Sequence, residues 1–339
     1  MESFKQIIKA LADRSLTDDE ATTAFECVMT GEATPAQIGA FLMALRLRGE
    51  TPVEITAGAR TMRAKALAVS APECAIDLVG TGGDGANTYN ISTAAALVVA
   101  ACGVPVAKHG NKAASSRSGA AEVLRQLGVD LSIDPAGIEA CLREAGIGFM
   151  FAANHHAAMR HVAPVRAELG IRTIFNLLGP LSNPAGVRRM VIGVYDPALL
   201  VPFAEALRRL GAERAWIVHG QGLDELTTTG ASQVASLSDD GTITEFEVTP
   251  DALGLERRAL ADLVGGEPAE NAAALTRVLG GEAGAYRDIV LLNAAAGLLV
   301  GGACATLEQG IDLGRKAIDD GRARATLEKL VATSTKAAA

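Results

Sequence analysis

The chain has 339 residues, 49% of them hydrophobic, and a formal net charge of -8. That length sustains a sizeable core and, at roughly 150 residues per domain, two domains, while the acidic balance argues against a surface built to neutralise a nucleic-acid backbone or an anionic membrane. The five cysteines (Cys27, Cys74, Cys102, Cys141, Cys304) are odd in number, scattered and without a C-x-x-C pair, so neither a disulfide framework nor a zinc site is indicated and a reducing cytoplasm follows.

Met1 to Gln6 carries an early acid and no apolar run, unlike a secretory signal. The N-terminal segment then reads as short helices: Thr17 precedes Glu20, Thr34 precedes Gln37 and Thr51 precedes Glu54, each at capping-box spacing, and Pro35 and Pro52 stand where the first helical N–H is dispensable. After the second start, Ile38, Phe41, Leu42 and Leu45 make one apolar face that requires a partner. From Ala75 the texture changes. Short apolar runs (76–79, 104–107, 148–152, 190–195 and 215–218) read as buried strands and alternate with helix candidates at 93–102, 135–145 behind Asp134, and 197–210. The fold class is therefore α/β with a mainly parallel central sheet, whose ligands sit beyond the carboxyl ends of the strands. The uncharged stretch from Ile289 to Ala305 is interrupted by Asn293 and glycines. It falls short of the ~20 residues a membrane span needs and reads as a core helix. The Ala/Thr/Ser-rich tail after Val331 reads as frayed.

Gly80-Thr81-Gly82-Gly83-Asp84-Gly85 follows the first strand and matches G-x-G-x-x-G. A dinucleotide site also wants an acid about 20 residues on, and no Asp or Glu lies between Asp84 and Glu122. The same window holds Lys108, Lys112 and Arg117, Asn90-Ile91-Ser92-Thr93 at one helix start, and Ser115-Ser116-Arg117-Ser118-Gly119 before another. Glycine loop, helix N-termini and uncompensated cations together suit a ligand with several phosphates.

Asp224-Glu225 lies beyond the strand at 215–218. Adjacent carboxylates fit either a solvated turn or a divalent cation bridging to phosphate, and the strand-end placement favours the cation. Asp84 reads as a turn residue bonding its own backbone. His155, His156 and His161 match no usual zinc spacing and read as surface or substrate-shaping residues. Arg166 is open between a bidentate contact to a carboxylate ligand and an ion pair with Glu168 or another acid.

Gly80 to Asp84, Asn90 to Thr93, Lys108-His109-Gly110-Asn111, the stretch from Arg166 through Arg172 to Leu181, Asn183-Pro184, and Asp224-Glu225-Leu226 resemble the motifs of the anthranilate phosphoribosyltransferase family, in order and over nearly the whole chain. The resemblance extends to Gln37 through Arg46. It implies a small N-terminal helical domain (1–72, joined by mid-chain helices near 160–185), a large α/β domain (73–339), and homodimerisation through the helical domain. It implies transfer of the phosphoribosyl group of phosphoribosyl pyrophosphate to the amine of anthranilate, with Mg²⁺ as cofactor and neither nucleic acid nor membrane as partner. By the family pattern Gly80, Gly83, Asp84, Thr88, Asn90, Ile91, Ser92, Thr93, Lys108, His109, Gly110, Asn111, Lys112, Ala113, Ala114, Ser115, Ser116 and Ala120 line the phosphoribosyl pyrophosphate site. Ser92, Asp224 and Glu225 hold Mg²⁺, and Gly80, Asn111 and Arg166 contact anthranilate. Ala153, Arg117 and Ala120 replace the family's common proline, lysine and serine, so Ala120 is expected to act only by shape or backbone. A pyrimidine nucleoside phosphorylase shares the implied fold and a phosphate loop, but Lys108 to Asn111 and the Arg166 segment resemble the transferase. A catalytically silent nucleic-acid binder is the rival from another class, disfavoured by the acidic balance.

Overall fold

A computed structural model describes residues 2–113 and 117–338. The N-terminal bundle comprises α1 (Glu2–Asp13), α2 (Asp18–Thr30), α3 (Pro35–Arg48) and α4 (Pro52–Ala64). Thr17, Thr34 and Thr51 each cap a helix with their side chains, and Glu20, Gln37 and Glu54 reach back to the cap N–H, so all three sequence-read starts form complete capping boxes. Glu54 is fully buried. It stays satisfied by accepting from Leu16 N at 3.0 Å, Thr51 N at 2.9 Å and Arg48 at 2.5 Å.

The chain then runs through β1 (Ile76–Gly80), α5 (Ile91–Ala101), β2 (Val106–Gly110), α6 (Ala120–Gln126), α7 (Pro135–Ala145) and β3 (Ile147–Phe151). Three short helices, α8 (Ala152–His155), α9 (Ala163–Leu169) and α10 (Ile174–Leu181), cross back to the bundle before β4 (Arg189–Gly193), α11 (Leu200–Arg209), β5 (Arg214–His219), β6 (Ser232–Leu237) and β7 (Ile243–Val248). The chain ends in α12 (Pro268–Leu279), α13 (Ala285–Val300), α14 (Leu307–Asp319) and α15 (Arg322–Ala338). The apolar face of α3 meets its partners here: Phe41 packs on Phe4 and Phe25 with centroids 5.7 and 5.5 Å apart, and Phe25 meets Phe175 of α10 at 6.1 Å. The bundle is thus tied to the mid-chain helices by an aromatic chain.

The seven strands form one sheet in the order β3-β2-β1-β4-β5-β6-β7. The first five pair in parallel, as their continuous burial demands, and β6 and β7 add an antiparallel edge. Strand order reverses between β1 and β4, where Gly80 sits beside Gly193. The stretch around Asn293 is the buried helix α13, and among the described residues no helix is long and apolar enough to cross a membrane. The C-terminal tail differs from the sequence reading. It continues α15 because Leu327, Leu330, Thr333 and Ser334 face inward, with Ser334 Oγ accepting from Asp130 N at 3.1 Å.

Candidate active site

The crevice outside β1 and β4 is the topological switch point at which α/β sheets bind ligands. Its floor depends on two missing side chains. A Cβ on Gly193 would overlap the carbonyl of Asp224 and lie 3.1 Å from its Cα, and one on Gly80 would lie 2.9 Å from the Asp224 carboxyl carbon. This pair of glycines lets the Asp224 loop close over the strand ends. Beyond Gly80, the turn needs left-handed backbone at Gly82, Gly83 and Gly85, with φ of 67, 78 and 77°. Asp84 Oδ1 accepts from Ala86 N at 3.1 Å, the turn bond expected of it. The Arg172 guanidinium donates to the Gly83 carbonyl and lies 4.1 Å from the Tyr195 ring centroid, fastening the loop from outside.

Asn90 precedes α5 without capping it. Its Oδ1 accepts instead from Asn271 Nδ2 at 2.9 Å, and within the first turn Ser92 N donates to Glu225 Oε1 at 3.1 Å. Lys108 is only 2% exposed, its Nζ donating to Leu78 O and lying 3.4 Å from Ser92 Oγ. Burial lowers its pKa, while Asp77 and Glu225 pull the other way. His109 N donates to Asp77 Oδ1 at 3.2 Å, and its Nε2 lies 3.3 Å from His156 Nε2. Burial and the neighbouring imidazole of His156 press the His109 pKa down to about 3, and burial brings His156 to about 4, so both rings are neutral at physiological pH.

Asp224 Oδ2 accepts from Gly82 N at 2.6 Å. Burial and then the Asp84 carboxylate raise the Asp224 pKa, and burial and then Asp224 raise that of Glu225. Three carboxylates thus face one crevice with Lys108 as the cation that moderates Glu225. No group of three or more His, Cys, Asp or Glu side chains among the described residues forms a full metal cage. Mg²⁺ needs one or two carboxylates and retains several waters. A ligand-facing carboxylate pair next to a serine hydroxyl fits it.

At the opposite end, Arg166 Nη2 donates to Asn176 Oδ1 at 3.1 Å, and the guanidinium stands 5.8 Å from the Phe175 ring centroid. Its buried Nε has no hydrogen-bond partner, and among the described residues no acid pairs with it. The alternative of an ion pair with Glu168 is not what the fold builds. A cation held by a neutral amide, with a donor to spare beside an aromatic ring, suits a planar carboxylate.

One cleft of about 320 Å³ collects the described residues of the expected site, from Gly80 through Ala120 to Arg166, Asp224 and Glu225, with one exception. Thr93 is 1% exposed, one residue deeper in α5, with its hydroxyl unpartnered, so it stands behind the wall. Ala114, Ser115 and Ser116 lie outside the described residues. Ala120 borders Gly110, where a Cβ would come 3.5 Å from the Ala120 methyl. The histidines do other work: His155 Nδ1 lies 2.7 Å from Leu67 O, His156 meets His109, and the His161 ring packs on Gly31. Sequence reasoning missed Gly193, Arg172 and Asn176 as contributors. Gly193 ends a strand like Gly80, and that symmetry was its only available signal.

A mainly parallel sheet whose switch-point cleft joins a phosphate-type loop and an acidic pair to an aromatic, arginine-bearing end on the mid-chain helices, beside a helical bundle, defines a glycosyl-transferring enzyme of two domains. Models of the glycosyl transferase family match the chain in that pattern, the helical bundle domain over residues 5–66 and the a/b domain over residues 73–324. The chain is 64% identical over 336 residues to the anthranilate phosphoribosyltransferase of Parvibaculum lavamentivorans, covering 98% of each, and 58% identical over 331 residues to that of Sinorhizobium medicae, again covering 98% of each. The crystal structure of anthranilate phosphoribosyltransferase from Thermus thermophilus superposes with a TM-score of 0.93 at 47% identity, covering 99% of this chain and 100% of that one. The Saccharomyces cerevisiae enzyme in complex with phosphoribosyl pyrophosphate and Mg superposes with a TM-score of 0.91 at 28% identity, covering 99% and 98%. The chain belongs to the anthranilate phosphoribosyltransferase family.

Proposed function

We infer that this protein transfers the phosphoribosyl group of phosphoribosyl pyrophosphate to the amine of anthranilate, giving N-(5-phosphoribosyl)anthranilate and pyrophosphate in tryptophan biosynthesis. The observation that carries the reading is the pairing, in one cleft, of an anion-binding end with Arg166, a half-buried guanidinium that pairs with no acid among the described residues. In the reaction the ribosyl C1–O bond breaks with its electron pair leaving on pyrophosphate, and the amine nitrogen bonds to C1 and releases one proton. Negative charge grows on the leaving group while the sugar becomes oxocarbenium-like. Backbone N–H groups of the glycine loop, the start of α5 and the Lys108 ammonium are preorganised for that charge, a role worth about 2.7–4 kcal/mol per donor. Mg²⁺ held by Ser92, Asp224 and Glu225 would supply further charge neutralisation on the diphosphate oxygens. Arg166 and Asn111, with the Gly80 backbone, aim the weakly nucleophilic amine at C1, and such positioning supplies much of the remaining acceleration. No covalent nucleophile is required.

The helical domain as a dimer surface is supported by Met43 and Leu47 on α3, which are 40% and 79% exposed. The cytoplasm is supported by the substrates this reading assigns. The test follows loss of anthranilate fluorescence in purified protein with phosphoribosyl pyrophosphate, with and without Mg²⁺. Metal-dependent loss is expected. No loss with folded protein would turn the reading toward nucleoside phosphorolysis.

A further inference from the structure

Helix α13 contributes nothing to the chemistry above, yet one face of it touches both halves of the anion-binding end. Asn293 interrupts the uncharged stretch of α13 that begins at Ile289 and is 1% exposed. A buried amide in such a place is costly unless its polar atoms are matched. They are: Oδ1 accepts from Leu226 N at 3.0 Å, and Nδ2 donates to Leu226 O at 2.8 Å and to Ile289 O at 2.9 Å. Leu226 directly follows the acidic pair, so this one side chain grips both backbone groups next to Glu225. Seven residues earlier, two turns away on the same face, Tyr286 donates its hydroxyl to Asn90 O at 3.2 Å and stacks on Tyr89 with centroids 4.4 Å apart. Asn90 O is the carbonyl that starts α5, accepting from Ala94 N at 3.1 Å. Between the two anchored points runs the contact from Ser92 N to Glu225 Oε1.

We propose that Tyr286 and Asn293 are positioning residues for phosphoribosyl pyrophosphate: α13 is a rigid ruler that sets the distance between the anion-binding start of α5 and the acidic pair. This rests on the phosphoribosyl-transfer reading. It predicts that loosening either end harms binding of the pyrophosphate substrate and spares the Arg166 end, which touches neither anchor.

The test compares wild type with Tyr286→Phe, which removes one oxygen and keeps the ring stack, and Asn293→Leu, which keeps the heavy-atom count and branching and leaves the Leu226 backbone ungripped. Calorimetric titration with phosphoribosyl pyrophosphate in the presence of Mg²⁺, steady-state constants for both substrates and thermal unfolding are measured together. The expected result is affinity for phosphoribosyl pyrophosphate about threefold weaker for Tyr286→Phe and about tenfold weaker for Asn293→Leu, with the anthranilate KM within about twofold of wild type. Equal losses for both substrates, or unchanged phosphoribosyl pyrophosphate binding in folded variants, would overturn the proposal. If Asn293→Leu fails to fold, Tyr286→Phe decides alone. Wild type that binds phosphoribosyl pyrophosphate without consuming anthranilate would sink the transfer reading and leave the binding comparison to judge the ruler. Wild type that binds none would sink both.

Discussion

Gly193→Ala puts a single methyl group against the acidic loop. Gly193 carries no left-handed backbone, so alanine meets no conformational penalty and the perturbation is steric alone. The new Cβ would overlap the Asp224 carbonyl and stand 3.1 Å from its Cα, whereas carbon atoms rest comfortably at about 3.5–4.0 Å. Relief therefore moves the Asp224 backbone by about 1 Å or more, since β4 is held on both sides by β1 and β5. Overpacking of this kind costs about 1–3 kcal/mol of stability, and a displacement of about 1 Å in a positioning element costs about 100-fold in rate. The assay is anthranilate fluorescence at saturating anthranilate with phosphoribosyl pyrophosphate varied at several Mg²⁺ concentrations, beside a thermal melt. A fall of about 100-fold in kcat/KM for phosphoribosyl pyrophosphate in folded protein is expected. Wild-type kinetics and an unchanged Mg²⁺ response would refute the claim that the glycine pair at the switch point sets where Asp224 stands.

Arg166→Ala should raise the anthranilate KM by about 10- to 100-fold, the range for a lost charge-assisted bond, and leave phosphoribosyl pyrophosphate nearly untouched; equal losses would remove the carboxylate role. The double change Asp224→Asn, Glu225→Gln should depress turnover and shift its Mg²⁺ dependence, and an unchanged metal titration would take both residues out of the metal site. The His156 pKa is lowered to about 4 from 6.5, so its contribution to stability is complete above pH 6.5 and lost as pH falls toward 4. Urea unfolding of His156→Asn should accordingly show a pH slope shallower than wild type by about 1.4 kcal/mol per pH unit in that window, and parallel curves would mean the buried ring is not held neutral.

Much of this was legible because the signals are local. The three capping boxes, the parallel strands and the glycine turn each need only neighbours in sequence, and each lies within three residues of its expected bounds. The antiparallel edge was missed although Asp240-Gly241 is a hairpin signal; β7 is too exposed on both faces to stand out as an apolar run. The tail escaped because Thr333 and Ser334 are small polar residues whose burial depends on α7, nearly two hundred positions away, where Thr333 Oγ1 lies 3.3 Å from Glu144. The same holds at the site. Asn293 looked like an interruption of an uncharged stretch, and its meaning exists only once Leu226 is brought to it. That Arg166 is free of Glu168 was likewise undecidable by spacing, since it depends on Asn176 occupying the guanidinium's other side.

The acidic pair shows most clearly how the site strains against the fold. In the unfolded chain Asp224 and Glu225 ionise in the ordinary carboxylate range, about pH 4. In the folded protein burial keeps both pKa values raised, with Asp84 pressing next on Asp224 and Asp224 on Glu225. Below that range both states are protonated and nothing is lost. Above it the unfolded state gives up protons the folded state retains, so stability falls as pH rises, by about 1.4 kcal/mol per unit for each group until the folded carboxylates ionise too. Asp224→Asn with Glu225→Gln keeps acceptors for Gly82 N and Ser92 N and removes the repulsion. Without ligand, the variant should match wild type near pH 4 and exceed it increasingly toward pH 7, a stability gain accompanied by lost activity. Chemical unfolding across that range measures it, and a gain that is absent, or constant with pH, would show that the pair is solvated and that its charges do not press on one another.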